Sequence, residues 1–312
     1  MRFIPLVIAL YCAQAWLPPA AWPESNSPLT QHEQLVAVSS VDDRLLRYHL
    51  LDADSLAGRT EKSHRLFFHL RADSADAALR LLDGVEGPAS LDAMPADMGE
   101  LPVAQKKALF FSILLPIVQF HNETTLARRQ RLLEMSAGAP DDAFFRAMTQ
   151  HYALERHPHA LGTRADSLRE LLNRVDAVPP SLVLSQAAIE SGWGTSRFAR
   201  RGNNLYGQRI WRSDLEGMAA EGAANSRFRL AVYTNIAASV RSYMRNLNSH
   251  PSYGDLRALR AESRARGGAM LGTDLAAGLS SYSTRGAEYV ADVQRLIRGN
   301  ALEQHDRREY KP

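Results

Sequence analysis

Glu190 closes the stretch Leu182–Glu190, which is apolar nearly all round (Leu182, Val183, Leu184, Ala187, Ala188, Ile189). If that stretch is a helix, two effects raise the carboxyl pKa. Removal from water disfavours the anion, and the negative end of the helix dipole disfavours it again. An acid kept protonated near neutral pH can protonate the leaving oxygen of a glycosidic bond as the bond breaks. Ser191-Gly192-Trp193-Gly194 follows directly. Its glycines permit a tight turn, and Trp193 supplies a flat apolar surface of the kind on which sugar C–H faces stack. A glutamate at a helix end ahead of glycine is also a common solvated terminus. The pattern alone leaves both readings open.

The elements that must hold this acid are mostly helical. Val178-Pro179-Pro180 stops one helix and starts the next, and Ser181 can cap it. Asp141–Leu154 and Asp166–Val175 read as amphipathic helices upstream. Ile236–Asn248, Asp255–Ala265 and Gly286–Leu302 read as three more downstream. Between them, Arg209–Tyr233 carries turn residues and ends in the alternation Phe228, Leu230, Val232, which predicts a short hairpin. Val103–Met135 contains an apolar run of about 13 residues interrupted by Pro116, too short for a membrane span and better read as a buried, Pro-kinked helix. Glu33 to Leu82 is weakly helical in pattern, and Asp83–Pro102, with three Gly and three Pro, reads as a linker.

Composition narrows the setting. The chain has 312 residues, enough for two domains, and 45% hydrophobic content, which excludes wholesale disorder. A net charge of +3 gives no argument for nucleic acid as a partner. One cysteine, Cys12, excludes an internal disulfide framework and a cysteine-based zinc site. It lies in an apolar run that follows Met1-Arg2 and ends in Ala13-Gln14-Ala15, the pattern of a secretory signal cleaved after Ala15. The expectation is therefore an exported protein of the periplasm or cell envelope, without a transmembrane span once processed. His151, His157 and His159 cluster around Pro158 without an acidic partner at ligand spacing, so they read as a polar loop and not as a metal site.

The string Ser185-Gln186-Ala187-Ala188-Ile189-Glu190-Ser191-Gly192-Trp193-Gly194-Thr195-Ser196, followed by Asn203-Asn204-Leu205-Tyr206-Gly207, closely resembles the N-acetylglucosaminidases of glycoside hydrolase family 73. The resemblance continues in Tyr243–Asn248, His250-Pro251 and Tyr253, and closes at Tyr282–Tyr289. With Lys106-Lys107 to Pro116 upstream, the set is similar to the bacterial Bax-like subgroup and covers about residues 103–302. It implies an α+β, predominantly helical, lysozyme-like fold of two lobes, the smaller a β-hairpin lobe, preceded here by a helical N-terminal region. It also implies endo-cleavage of the β-1,4 bond after N-acetylglucosamine in peptidoglycan, with glycan strands as the partner and no cofactor or metal. By motif, Glu190 matches the general acid and Tyr282 the tyrosine across the cleft from it. Trp193, Asn204 and Tyr206 fall in the motif that shapes the floor and contacts substrate, although an Asn there can equally tie a loop through backbone hydrogen bonds.

The expected organisation is a signal peptide at 1–15, an N-terminal region and linker at 16–102, a helical extension at 103–164, the catalytic domain at 165–302 and a charged tail at 303–312. A second catalytic carboxylate is harder to place. Asp214, Glu216 and Glu221 lie in the hairpin region, and Glu221 is the first candidate. The substrate's own N-acetyl oxygen could replace it as nucleophile. Two rival readings survive at this point: a lytic transglycosylase of the same fold, which closes a 1,6-anhydro ring, and a non-catalytic envelope protein that binds glycan. Neither a Gly-x-Ser-x-Gly elbow nor a His-Glu-x-x-His motif is present.

Overall fold

The computed structural model describes residues 34–37, 47–51, 65–84, 89–139, 141–154, 162–211, 217–219 and 228–306. The signal-like segment, His157, His159, Asp214, Glu216 and Glu221 lie outside them.

The N-terminal region differs from the helical expectation. Strands β1 (Gln34–Ala37), β2 (Arg47–Leu51) and β3 (Arg65–Leu70) form an antiparallel run, and β4 (Ala89–Leu91) joins β3 in parallel. The single helix among the described residues of this region, α1 (Ala75–Asp83), makes the crossover that a parallel pair requires. Leu66-Phe67-Phe68 is too short an apolar run for its period to separate strand from helix. The segment Asp83–Pro102 is likewise no mere linker. Leu91, Met94 and Met98 are buried in the main core, Ser90 Oγ donates to the Ile113 carbonyl at 2.6 Å, and the Ile236 amide donates to the Asp92 carbonyl. Its Gly and Pro content marks turns within a packed segment.

Helix α2 (Val103–Ser136) runs through Pro116, and its Leu109, Phe110, Ile113, Leu114, Ile117 and Val118 are buried. By length and composition it could cross a membrane, but this apolar run is spent on the core. Its far end packs Leu132 with Phe144 and Met148 of α3 (Asp142–His151) and Leu168 and Leu171 of α4 (Arg164–Arg174) in a second cluster. Asp141 caps α3, and Thr163 with Asp166 forms a capping box on α4.

Helix α5 (Pro180–Ser191) lies at the centre, with ten of its residues buried, as its all-round apolarity requires. Leu182, Val183 and Leu184 alone contribute about 1.5–3 kcal/mol each by leaving water. Pro179 is the N-cap and makes no side-chain cap bond. Ser181, expected as the cap, instead donates its hydroxyl to Asp306 Oδ2 at 2.5 Å, and its amide donates to Asp306 Oδ1 at 2.9 Å. Pro179 and Pro180 have no N–H to offer, so the first free amide of the turn is met by a carboxylate from the chain's end. Helix α6 (Arg197–Gly202) leads into β5 (Arg209–Ile210), β6 (Gly217–Met218) and β7 (Arg229–Ala231). These form a three-stranded antiparallel sheet in the order β5-β7-β6, one strand more than a hairpin. Helices α7 (Ile236–Ser249), α8 (Gly254–Ala265), the short α9 (Gly272–Leu275) and α10 (Ala287–Gly299) follow, close to the sequence expectation. The fold class stands: α+β, predominantly helical, with a small sheet beside α6.

Candidate active site

Glu190 occupies the last turn of α5, and the chain leaves that turn sharply. Gly192, Trp193 and Gly194 have φ of 58°, 60° and 78°, three successive left-handed residues. Glycine adopts that conformation without steric cost, but Trp193 does not. Ser191 holds the turn: its hydroxyl donates to the Ala187 carbonyl at 2.6 Å and accepts from the Gly194 amide at 2.8 Å.

Five tyrosines form a linked cluster beside this acid. Tyr289 of α10 donates to Glu190 Oε1 at 2.8 Å. Tyr282 stacks on Tyr289 with ring centroids 5.2 Å apart, and its hydroxyl donates to the Tyr206 carbonyl at 3.0 Å. Tyr206 stacks on Tyr243 of α7 at 3.8 Å, and Tyr253 lies 6.3 Å from Tyr282. These rings displace water. Burial therefore pushes the Glu190 carboxyl up to about 7 from its ordinary 4.5, against the opposing hydrogen bond from Tyr289 and the charge of Arg209 on β5. The same burial drives Tyr206, Tyr243, Tyr282 and Tyr289 well above the usual phenol value, so all four hydroxyls stay protonated. Gly207, in the left-handed region at 64°, brings the loop after Tyr206 against the acid: a Cβ there would sit 3.8 Å from Glu190 Oε2.

The predicted residues separate into two groups. Glu190, Tyr282 and Tyr206 come together, with Tyr206 contributing a buried ring and a backbone carbonyl. Asn204 acts through the backbone: Oδ1 accepts from the Gln208 amide at 3.0 Å, and Nδ2 donates to the Gln208 and Ala231 carbonyls at 2.8 and 3.0 Å. It thus fixes the loop that carries Tyr206 and Gly207 to β7. Trp193 faces α2. Its ring meets the edges of Phe110 and Phe111 at 5.6 and 5.5 Å, and the Lys107 ammonium lies 4.9 Å over it. These contacts anchor the turn that follows Glu190, and Trp193 stays partly exposed. Among the described residues, no group of three or more histidines or acids could hold a metal ion.

Sequence reading missed Gln186, Tyr243 and Tyr289 as parts of the site. Tyr243 and Tyr289 sit on helix faces where periodicity counts them as core, which hides their hydroxyls. Gln186 did leave a signal. It lies one turn before Glu190 on an apolar helix, and a buried amide needs partners. It is fully buried, donating to the Tyr289 hydroxyl at 3.0 Å and accepting from the Tyr243 hydroxyl.

Three comparisons relate this chain to known proteins. The family described as mannosyl-glycoprotein endo-beta-N-acetylglucosaminidase matches residues 165–302, which spans α4 to α10. Protein bax of Escherichia coli (strain K12) is 32% identical over 200 residues, 62% of this chain and 71% of that protein. Among solved structures, the catalytic domain of the autolysin Auto from Listeria monocytogenes is similar at 21% identity over 57% of this chain and 96% of its own, with a TM-score of 0.32. The chain belongs to the glucosaminidase family of glycoside hydrolases, in its Bax-like branch.

Proposed function

We propose that the protein is a peptidoglycan hydrolase, an endo-β-N-acetylglucosaminidase that cuts β-1,4 bonds after N-acetylglucosamine with Glu190 as general acid. One observation carries the reading: a carboxyl held near pH 7 by burial, with Oε1 engaged by Tyr289 and Oε2 toward Gly207. Such an acid keeps a substantial protonated fraction at neutral pH and can give its proton to a leaving sugar oxygen. Tyr282 lines the site, its ring stacked on Tyr289 and its hydroxyl fixed by the Tyr206 carbonyl.

The catalytic unit we assign is 165–302, with 103–164 as its support. Lys107, Phe110 and Phe111 of α2 brace Trp193 from that side. Export to the periplasm or envelope follows from the signal-like start.

Among the described residues, Arg209 is the charged side chain that acts on Glu190, and no second carboxylate does so. Glu221, on the segment joining β6 to β7, remains our first candidate for the base of an inverting reaction, which needs a carboxylate about 6.5–9.5 Å from the acid. The lone acid also keeps a second reading in play, ring closure to a 1,6-anhydro product by a transglycosylase. Digestion of purified peptidoglycan, borohydride reduction and mass spectrometry separates them. Fragments ending in reduced N-acetylglucosamine, absent with Glu190→Gln, are expected. Anhydro-muramyl ends would mean a transglycosylase. Intact sacculi with protein bound would mean a glycan-binding protein.

A further inference from the structure

We infer that Tyr243, Gln186 and Tyr289 form a positioning chain with one hydrogen-bond polarity, which confines the transferable proton of Glu190 to Oε2. The inference rests on Glu190 being the general acid. It adds which oxygen acts and what makes it that oxygen.

The chain runs across three helices. The Tyr243 hydroxyl of α7 donates to Gln186 Oε1 of α5. Gln186 Nε2 donates to the Tyr289 hydroxyl at 3.0 Å, and Tyr289 of α10 donates to Glu190 Oε1 at 2.8 Å. Gln186 and Tyr243 are fully buried and Tyr289 is 3% exposed, so water does not rearrange the links. A phenol has one hydrogen. Because Gln186 donates into the Tyr289 oxygen, that hydrogen is free only for Glu190. Oε1 is then an acceptor in both protonation states, and an acidic proton must sit on Oε2.

An amide can be turned over, and the reversed chain has a different consequence. Gln186 would donate to Tyr243, Tyr289 would donate to Gln186, and Oε1 of Glu190 would have to carry the proton toward Tyr289, away from Gly207. Reversal strands the Tyr243 hydrogen, whose recorded hydrogen bond among the described residues is the one to Gln186 Oε1. The second Nε2 hydrogen of Gln186 is unused in either polarity, and beyond it the forward chain leaves an unused lone pair on the Tyr243 oxygen. A buried donor without an acceptor costs more than a spare lone pair, so the forward polarity holds. During proton transfer, the O–H bond at Oε2 breaks as the bond to the glycosidic oxygen forms. The charge left on the carboxylate is met at Oε1 by the Tyr289 hydroxyl already in place, which requires no reorganisation.

The test is the pH profile of peptidoglycan cleavage, read as new reducing ends, for the full chain and for Tyr289→Phe, Tyr243→Phe and Glu190→Gln. Tyr289→Phe removes the donor to Oε1. The neutral pH rate should fall about 10- to 100-fold, the size of one hydrogen bond to a charged group. The alkaline limb should move up by roughly one pH unit, because the carboxylate loses a stabilising bond. Tyr243→Phe frees the amide to turn over and should shift the limb in the same direction by less. A merely structural role would lower the rate or melting temperature and leave the limb where it is. An unmoved limb in both variants, with Glu190→Gln inactive, overturns the polarity argument and leaves the general acid standing. Activity retained by Glu190→Gln overturns both. If Tyr289→Phe does not fold, Tyr243→Phe decides alone.

Discussion

Asp176, just ahead of α5, and Glu190, in its last turn, are carboxyl groups that the same helix draws away from water, yet their surroundings treat the charge in opposite ways. Burial pushes Asp176 up, but the hydrogen bond from Arg264 and the charges of Arg260, Arg129 and Arg264 outweigh it, and its carboxyl lies below the ordinary range. Arg264 grips both oxygens, while Arg129 and Arg260 stand 3.6 and 4.0 Å away. Around Glu190 the partners are phenols, with Arg209 as the one charged group acting on it among the described residues. The difference lies in what accompanies desolvation: guanidinium groups make a buried acid an anion, and aromatic hydroxyls leave it an acid. The first arrangement anchors the helix start. The second has the form of a proton donor.

This contrast can be broken most forcefully at Glu190. Glu190→Gln keeps the shape and the acceptor for Tyr289 but carries no transferable proton. Cleavage of peptidoglycan should fall by about 10²–10⁴ with the melting temperature held. At the other end, Asp176→Asn leaves the fully buried Arg260 without its counter-charge, which should cost about 3–5 kcal/mol in chemical denaturation. Material that still folds should cleave at the normal rate.

The pH dependence of stability should differ in sign between the two. For Glu190 the folded value of about 7 lies above the ordinary 4.5, so the folded state favours the protonated form. Stability from this group is fully present below pH 4.5 and is lost as pH rises through 7. Relative to wild type, Glu190→Gln should therefore gain stability above pH 7, by at most about 3 kcal/mol, and gain none in acid. Asp176 lies below its ordinary value, so its contribution is present above that value and is lost as pH falls. Urea melts at pH 4, 6 and 8.5 read both effects. A stability gain of Glu190→Gln that does not grow with pH would remove the premise that the site disfavours charge.

The smallest expected effect concerns the loop that brings Gly207 to the acid. Asn204→Ala deletes three hydrogen bonds to backbone. It should cost about 1–3 kcal/mol, with the activity loss following the loss of fold in a thermal melt.

Sequence made Glu190 legible through the string around it, Ser185–Ser196 with Asn203–Gly207, because an apolar helix ending in an acid by itself fits a solvated terminus as well. The downstream helices were legible for the ordinary reason that their apolar periods are clean. Two kinds of feature stayed hidden. Tyr243 and Tyr289 contribute a ring to the core and a hydroxyl to the site, and periodicity sees only the ring. Asp306, in the segment read as a charged tail, caps α5 from beyond α10, and no local pattern announces a partner that distant in the chain. The N-terminal strands went unread because apolar runs as short as Leu66-Phe67-Phe68 fit either period. Trp193 shows a further limit: its residue type suggests a sugar platform but gives no sign of its contacts with Phe110 and Phe111 on α2.

The most direct measurement is the titration of Glu190 itself, by carbon-13 NMR of glutamate side-chain carboxyls in the wild-type protein and in Glu190→Gln. One resonance, missing from the variant, should titrate with a midpoint near 7. A Glu190 midpoint near the ordinary 4.5 would contradict the account, because an acid already ionised at neutral pH has no proton to give.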